Sequence, residues 1–265
     1  MKYPDFIKFF TGMPKCDKEL HTANTVQLKP YSLEPYTFLL PVPQYSELEN
    51  LIFVDEYGNE DNNVILSAIT ESVNGNTILK IHDIQHNSWG NCYLKVKLND
   101  YSNYLISTPF RVSLLELENT TYIKYKDHDW TDFGGIRINM MHWHQMSKNE
   151  ITTYYQVTRE QTISVGSKRD RVERYWLDNI SIFCVNALLD ILTLPVIYID
   201  EIRSFTYEMP EVDPLTAREN FVSFEINVTQ DVNDTSITPT RRLIITNKGE
   251  YIQDHNNNYL TTENY

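Results

Sequence analysis

The stretch that decides the fold is RVERYWLDNISIFCVNALLDILTLPVIYIDEIRSFTY, residues 171–207. Residues 171–177 predict a strand. Residues from about 179 to 194 follow the 3.6-residue period of an amphipathic helix, and Pro195 ends it because proline lacks a backbone N–H. Residues 196–207 then predict a hairpin of two strands. This is the one helix that the sequence predicts, in a chain that otherwise has the pattern of a β protein.

The predicted helix has one apolar face and carries no chemistry. Its N-cap is expected at Asp178 or Asn179, since both side chains accept hydrogen bonds from the first turn of a helix. We expect its apolar face to cover one sheet of the protein or to close the open end of a barrel. The residues of this packing face are Cys184, Ala187, Leu188, Ile191 and Leu192.

The composition favours sheet over helix. The chain has 24 Asn and 18 Tyr but only 4 Ala, and alanine is the best helix former. Tyrosine and β-branched residues fit the pleated, half-buried surface of a sheet. The sequence therefore predicts a mainly β fold: two β-sandwich or barrel-like units, with the helix packed on the second and an extended arm at the N-terminus.

Proline content, turn residues and strand patterns divide the sequence into four predicted segments. Residues 1–45 hold six of the eleven prolines and predict an extended arm, whose aromatic side chains lie across either their own domain or a neighbouring subunit. Residues 46–115 predict a small β-sandwich that includes a hairpin at Asn74-Gly75. Residues 116–245 predict the β domain with the helix, with a turn at Gly134-Gly135. Residues 246–265 predict a flexible tail.

Charge and cysteine content limit the partners. A formal net charge of −13 argues against a nucleic-acid groove or an anionic membrane as the main partner, since both require an excess of Lys and Arg. No apolar run approaches the roughly 20 residues of a membrane span. The start of the chain lacks the apolar core of a signal peptide. The three cysteines have neither disulfide nor zinc spacing, which favours synthesis in a reducing cytoplasm.

Candidate catalytic residues are weak. His142 and His144 lie two apart on a predicted strand, about 6.5 Å from each other, where a shared metal is geometrically possible. His82 and His86 lie four apart on another strand, which is too far for one metal. No nucleophile elbow, phosphate loop or dinucleotide fingerprint occurs. The sequence therefore predicts no enzyme, no cofactor and no metal, and a hydrolase rests only on abundant acids and the His142/His144 pair.

One basic cluster stands out on this acidic chain. It consists of Lys168, Arg169, Arg171 and Arg174. One interpretation is a solvated loop. The other is an electrostatic contact with the acidic surface of a neighbouring copy, which makes these residues the candidate oligomer contact.

The order of three segments resembles a known class of proteins. Tyr104-Leu-Ile-Ser-Thr-Pro-Phe-Arg-Val112 closes a β unit, the strand from Arg171 to Trp176 leads into the helix, and Leu194-Pro-Val-Ile-Tyr-Ile-Asp-Glu-Ile-Arg-Ser204 returns as a strand with a tight turn. This pattern, over about residues 100–230, is similar to that of β-rich virion proteins of tailed phages that infect Bacteroidetes, including the crAss-like group.

The resemblance implies a structural virion protein of the tail or collar, which connects portal and tail. It implies a ring of six or twelve copies that contacts other tail or portal proteins, with DNA only as passing cargo and no membrane. The protein would be made in the host cytoplasm and end in the virion. The alternative is a β-sandwich module that binds carbohydrate or a receptor through the aromatic-rich residues 46–115.

Overall fold

The computed structural model describes residues 3–11, 22–23, 25–42, 45–86, 90–112, 119–142, 148–157, 162–208, 221–230, 242–243 and 261–262. It confirms the predicted fold class, a mainly β protein with a single α-helix in this described part of the chain. The chain divides into two compact units, Met1–Gln230 and Asp231–Tyr265. The described part of the second unit is one pair of short strands, β19 (Arg242–Leu243) and β20 (Thr261–Thr262).

The described residues in the first half of the large unit form ten strands. They are β1 (Phe9–Phe10), β2 (Val26–Leu28), β3 (Tyr36–Leu40), β4 (Leu48–Val54), β5 (Glu60–Asp61), β6 (Ile65–Val73), β7 (Asn76–Ile84), β8 (Gly90–Leu98), β9 (Leu105–Ser107) and β10 (Phe110–Val112). Strands β3, β7 and β6 form a separate three-stranded sheet, and the others join the main sheet. The two sheets share one buried core, which gives the sandwich character that the sequence predicts for this region.

In the second half of the large unit, the residues that the structure describes form eight strands and the helix. They are β11 (Thr120–Lys126), β12 (Gly134–Asn139), β13 (Met141–His142), β14 (Lys148–Val157), β15 (Thr162–Ser181), α1 (Ile182–Leu192), β16 (Val196–Ile199), β17 (Ile202–Glu208) and β18 (Phe221–Gln230). The strands follow the order β12-β11-β16-β17-β18-β15-β13. Because β13 follows β12 after the single residue Met140, this order returns to its start and closes a barrel.

The helix lies between the end of β15 and the start of β16, at one end of the barrel. All five residues of the predicted packing face are buried. The helix begins three residues later than predicted, because β15 continues through a bulge between Leu177 and Ile180. Asn179 adopts a positive φ of 53° in that bulge, and Asp178 accepts a hydrogen bond from Ser223 Oγ at 2.6 Å. These two side chains shape the bulge, and Ser181 takes the N-cap position instead.

The N-terminal segment is part of the core. Phe6, Phe9, Tyr36 and Phe38 are each at most 5% exposed. Strand β1 pairs with β9, β2 lies between β10 and β12, and β3 pairs with β7. These four aromatic side chains therefore pack within their own unit, whereas Tyr31 is 57% exposed. The prolines interrupt the strands without releasing the segment from the sheet.

The boundary predicted near residue 115 does not divide the folded chain. Strand β2 joins β10 from one side of this position to β12 from the other, so the main sheet runs through it. The compact unit instead ends at Gln230, where the sequence predicted a domain that continues to residue 245. The local sequence pattern does not reveal that β2 pairs with β10 and β12, because these strands are more than 80 positions apart in the chain.

Candidate functional site

A buried polar cluster occupies the end of the barrel opposite the helix. Glu173 is fully buried on β15, and its Oε2 lies 2.7 Å from His142 Nε2 on β13. Since a carboxylate only accepts hydrogen bonds, the imidazole donates. Arg171 Nε contacts the other carboxylate oxygen, Oε1. The three groups together tie β13 to β15, the contact that closes the barrel.

Neighbouring side chains complete this barrel-end cluster. The His142 ring stacks on Tyr175 with 4.7 Å between ring centroids, and Gln230 Nε2 donates to Tyr175 Oη at 3.2 Å. Burial raises the pKa of the Tyr175 hydroxyl, so it stays protonated at neutral pH. Partial desolvation also raises the pKa of the Asp200 carboxyl on the nearby β16–β17 turn. These contacts give His142, Tyr175 and Gln230 hydrogen-bond or stacking partners within the fold.

A second polar network fixes the segment before β3 onto the barrel. Arg137 Nε donates to Glu34 Oε2 at 3.0 Å, and its Nη2 contacts the other oxygen of the same carboxylate. Tyr36 Oη donates to Glu34 Oε2 at 2.7 Å, and Tyr122 Oη donates to the Pro35 carbonyl at 2.6 Å. Burial raises the pKa of both tyrosines. This bidentate pair holds the segment before β3 against strand β12.

A small cleft in the sandwich brings His86 and Cys92 together. It has a volume of about 140 Å³ and is lined by Asp55, Glu56, Tyr57, His86, Gly90, Asn91 and Cys92. Burial lowers the pKa of His86, and burial raises the pKa of Cys92 to about 12. The Cys92 thiol is therefore protonated at neutral pH and is a poor nucleophile. His82 lies within β7, paired with Ser67.

The described residues contain neither a candidate metal site nor a helix that could span a membrane. Within those residues, no group of three or more His, Cys, Asp or Glu side chains has the geometry to hold a metal ion. His142 pairs with Glu173, and His144 lies outside the described part of the chain. Over the same residues, no helix has both the length and the apolar character to cross a bilayer.

The most unusual feature of the backbone is a two-stranded ribbon. Strand β14 pairs with β15 from Lys148↔Val172 to Val157↔Thr162, whereas β18 pairs with β15 only from Arg171 onward. Residues 150–157 and 162–170, which we call the ribbon, thus pair with each other alone among the described strands. The ribbon extends from the barrel end that holds Glu173. A two-stranded hairpin is marginally stable in water, so such a ribbon gains stability when a further strand or surface covers it.

The predicted oligomer contact is divided between the ribbon and the barrel. All four of its residues lie in strand β15, so the loop interpretation of the cluster is wrong. Lys168 and Arg169 belong to the ribbon, opposite Thr152 and Ile151. Arg171 contacts Glu173, and Arg174 lies 3.7 Å from Glu225. Internal partners therefore occupy two of the four basic residues, and the ribbon holds the other two.

Comparison with known proteins adds no relative. No family model, no curated protein and no solved structure matches the chain. The resemblance to phage tail and collar proteins therefore stays a prediction.

Proposed function

We propose that this chain is a structural protein that assembles with copies of itself into a ring in the tail or collar of a tailed phage, between portal and tail. In this role it contacts other tail or portal proteins, and DNA passes through the ring as cargo. The single observation that supports the proposal best is the ribbon. It offers two long strand edges at the end of a rigid barrel, and a partner copy is the simplest source of the missing strand.

The polar groups support the same role. Glu173, His142, Arg137 and Glu34 form ion pairs or hydrogen bonds inside the fold, which stabilise strand and segment positions. A catalytic pair would instead direct at least one group toward a substrate cavity. A rigid barrel with a projecting ribbon is the arrangement that suits an assembly unit.

Shortening the ribbon tests this function. Replacing residues 152–168 by Asn-Gly joins the paired residues Ile151 and Arg169 through a favourable two-residue turn. We expect the wild-type protein to form closed oligomers of six or twelve copies by light scattering and negative-stain imaging. The shortened variant should be a single chain that still unfolds cooperatively on heating, as followed by circular dichroism. A wild-type protein that stays a single chain at high concentration, or a shortened variant that still forms the same oligomer, contradicts the proposal.

Carbohydrate or receptor binding is the second candidate function, and the cleft at Asp55–Cys92 is the observation that favours it. Tyr57 at its rim is 82% exposed, and carboxylate, amide and imidazole groups line the wall beside it. Exposed aromatic rings stack on sugars, and such polar groups bind hydroxyls. If this candidate is right, the purified protein binds host polysaccharide, and Tyr57→Ala lowers the affinity at least about tenfold. Tyr31→Ala, at an exposed tyrosine outside the cleft, is the matched control. Equal binding by both variants removes the candidate.

A further inference from the structure

The ribbon leaves the barrel at Arg171. Strand β18 pairs with β15 from Arg171↔Gln230 onward, and Arg171 also lies opposite Asn149 of β14. Among the described strands, the residues of β15 before Arg171 pair with β14 alone. A two-stranded hairpin is only marginally stable by itself, and the ribbon has no third strand that would hold it. The direction in which the ribbon projects therefore depends on contacts at its base.

One row of side chains continues from the barrel interior to this base. Residues two apart on a strand lie on the same face, so Arg171, Glu173 and Tyr175 form one row of β15. The Glu173 side chain is fully buried, whereas the Arg171 side chain is 46% exposed, and the Arg171 guanidinium contacts the Glu173 carboxylate. The residue at which the ribbon begins is thus tied to the barrel interior by its side chain as well as by its backbone.

The same carboxylate also holds the strand before β14. His142 pairs with Tyr175 in the β13–β15 ladder, which makes His142 the diagonal neighbour of Glu173. His142 Nε2 lies 2.7 Å from Glu173 Oε2, and β14 is the next strand of the chain after β13. One buried carboxylate therefore contacts the residue at which the β15 half of the ribbon begins and the strand that leads into its β14 half.

A buried contact of this kind is stronger than the exposed ion pair on the same strand. Arg174 lies further along β15 and is 3.7 Å from Glu225, whose side chain is 42% exposed. Water and salt screen that pair, whereas a carboxylate in the low-dielectric interior interacts strongly with the cation beside it. The contact between Arg171 and Glu173 therefore has both the position and the strength to restrain the ribbon.

We propose that the Glu173 carboxylate, acting through Arg171 and His142, positions the ribbon on the barrel end. This inference rests on the proposed assembly function and adds the residues that prepare the ribbon for it. A ribbon that is already held in one direction loses less conformational entropy when a partner binds. The alternative is that Arg171 contacts a neighbouring copy directly. Glu173 separates the two, because a fully buried side chain cannot touch a partner.

Distances between two spin labels measure how firmly the ribbon is held. For the ribbon distance, one label is attached at Thr153→Cys in β14 and the other at Arg203→Cys, an exposed position of β17. Arg203 suits this purpose because the next residue, Ser204, lies opposite Gln230 and hence level with the ribbon base. For the reference distance, the labels are attached at Arg203→Cys and at Asn186→Cys, an exposed position of the helix.

The background of the labelled proteins must leave only these two cysteines reactive. Cys92 and Cys184 are buried and stay in place, and Cys16 is replaced by serine. Each labelled protein is diluted with an excess of its unlabelled form, so that only distances within one chain are measured even when copies assemble.

Three substitutions then test the base of the ribbon. Arg171→Gln and Glu173→Gln each remove the charged contact, and Arg174→Gln is the matched control that removes the same charge at the exposed pair. By double electron–electron resonance, we expect a narrow distribution of the ribbon distance in the unsubstituted protein and in Arg174→Gln, and a wider one in Arg171→Gln and Glu173→Gln. The reference distance should stay narrow in all four, which a general loss of structure would not allow. By light scattering, the two variants with the wider distribution should also assemble less.

The outcomes separate the inference from the assembly function. A ribbon distance in Arg171→Gln as narrow as in the unsubstituted protein overturns the inference. Loss of assembly in Arg171→Gln but not in Glu173→Gln assigns Arg171 to a direct contact and overturns it as well. If Glu173→Gln does not fold, the ribbon distance in Arg171→Gln gives the decision, since that side chain is partly exposed. A wild-type protein that is a single chain removes the assembly function, and the ribbon distances still decide whether Glu173 positions the ribbon.

Discussion

Replacing Glu173 by alanine should lower the free energy of unfolding by about 3–5 kcal/mol, as measured by urea denaturation at pH 7. The fully buried carboxylate accepts from His142 and contacts Arg171. Alanine leaves the imidazole and the guanidinium without their shared partner, and it opens a cavity beside Tyr175. Because Glu173 links β13 to β15, the loss falls on the contact that closes the barrel.

A second glutamate serves as the control. Glu225 lies on the neighbouring strand β18, is 42% exposed and is 3.7 Å from Arg174. Glu225→Ala should change stability by only about 0–1 kcal/mol, since exposed ion pairs contribute little. Similar losses in the two variants would show that Glu173 is no more important than a surface charge. A smaller loss for Glu173→Leu combined with His142→Phe than for Glu173→Ala would identify the unpaired partner as the cause.

The local part of the fold could be predicted from the sequence. The helix face repeats every three to four residues, and Pro195 limits its end, so both signals lie within a short window. The Asn74-Gly75 hairpin is confirmed, because its turn needs two positive φ angles, which these two residues adopt at 49° and 77°. Patterns within about fifteen residues were therefore sufficient for these elements.

The candidate sites depend on pairings that no local pattern contains. Glu173 lies on the same strand face as Tyr175 and Leu177, which was the one signal that its carboxylate is buried. Its partner His142 is 31 positions away and arrives only when β13 closes the barrel. The ribbon could not be predicted from the sequence either. Residues 162–170 and 171–181 form one strand, and its two halves differ only in the number of strands that pair with them. Neighbour number is a tertiary property, so composition and periodicity could not reveal it.

The prediction of a turn at two glycines was wrong for a related reason. The pair Gly134-Gly135 predicted a turn, yet both residues lie in strand β12. Glycine is needed there because another segment approaches the strand closely. Gly135 N–H donates to Thr37 Oγ1 at 3.0 Å, and the Pro35 carbonyl oxygen lies in the space that a Cβ on Gly135 would take. A turn and the close approach of two segments both favour glycine, so the sequence alone does not distinguish them.

Replacing Gly135 by alanine should destabilise the protein by more than about 4 kcal/mol or prevent soluble expression. A Cβ at this position would overlap the Tyr122 hydroxyl and the Pro35 carbonyl. The tyrosine cannot move aside easily, because its hydroxyl donates to that same carbonyl at 2.6 Å. The carbonyl belongs to backbone that the Glu34–Arg137 pair holds in place. The added methyl group therefore separates residues 34–37 from the barrel, and thermal unfolding followed by circular dichroism measures the loss.

Gly58→Ala separates this steric effect from the conformational cost of losing a glycine. Gly58 has a φ of 84° and no atom within 4 Å of the added Cβ, so its substitution carries only backbone strain of about 1–2 kcal/mol. Gly135 needs no positive φ, and its cost must come from overlap alone. A Gly135→Ala variant as stable as Gly58→Ala would mean that residues 34–37 can withdraw from β12 cheaply. In that case the N-terminal segment would be held by its ion pair and strands, and close packing at Gly135 would contribute little.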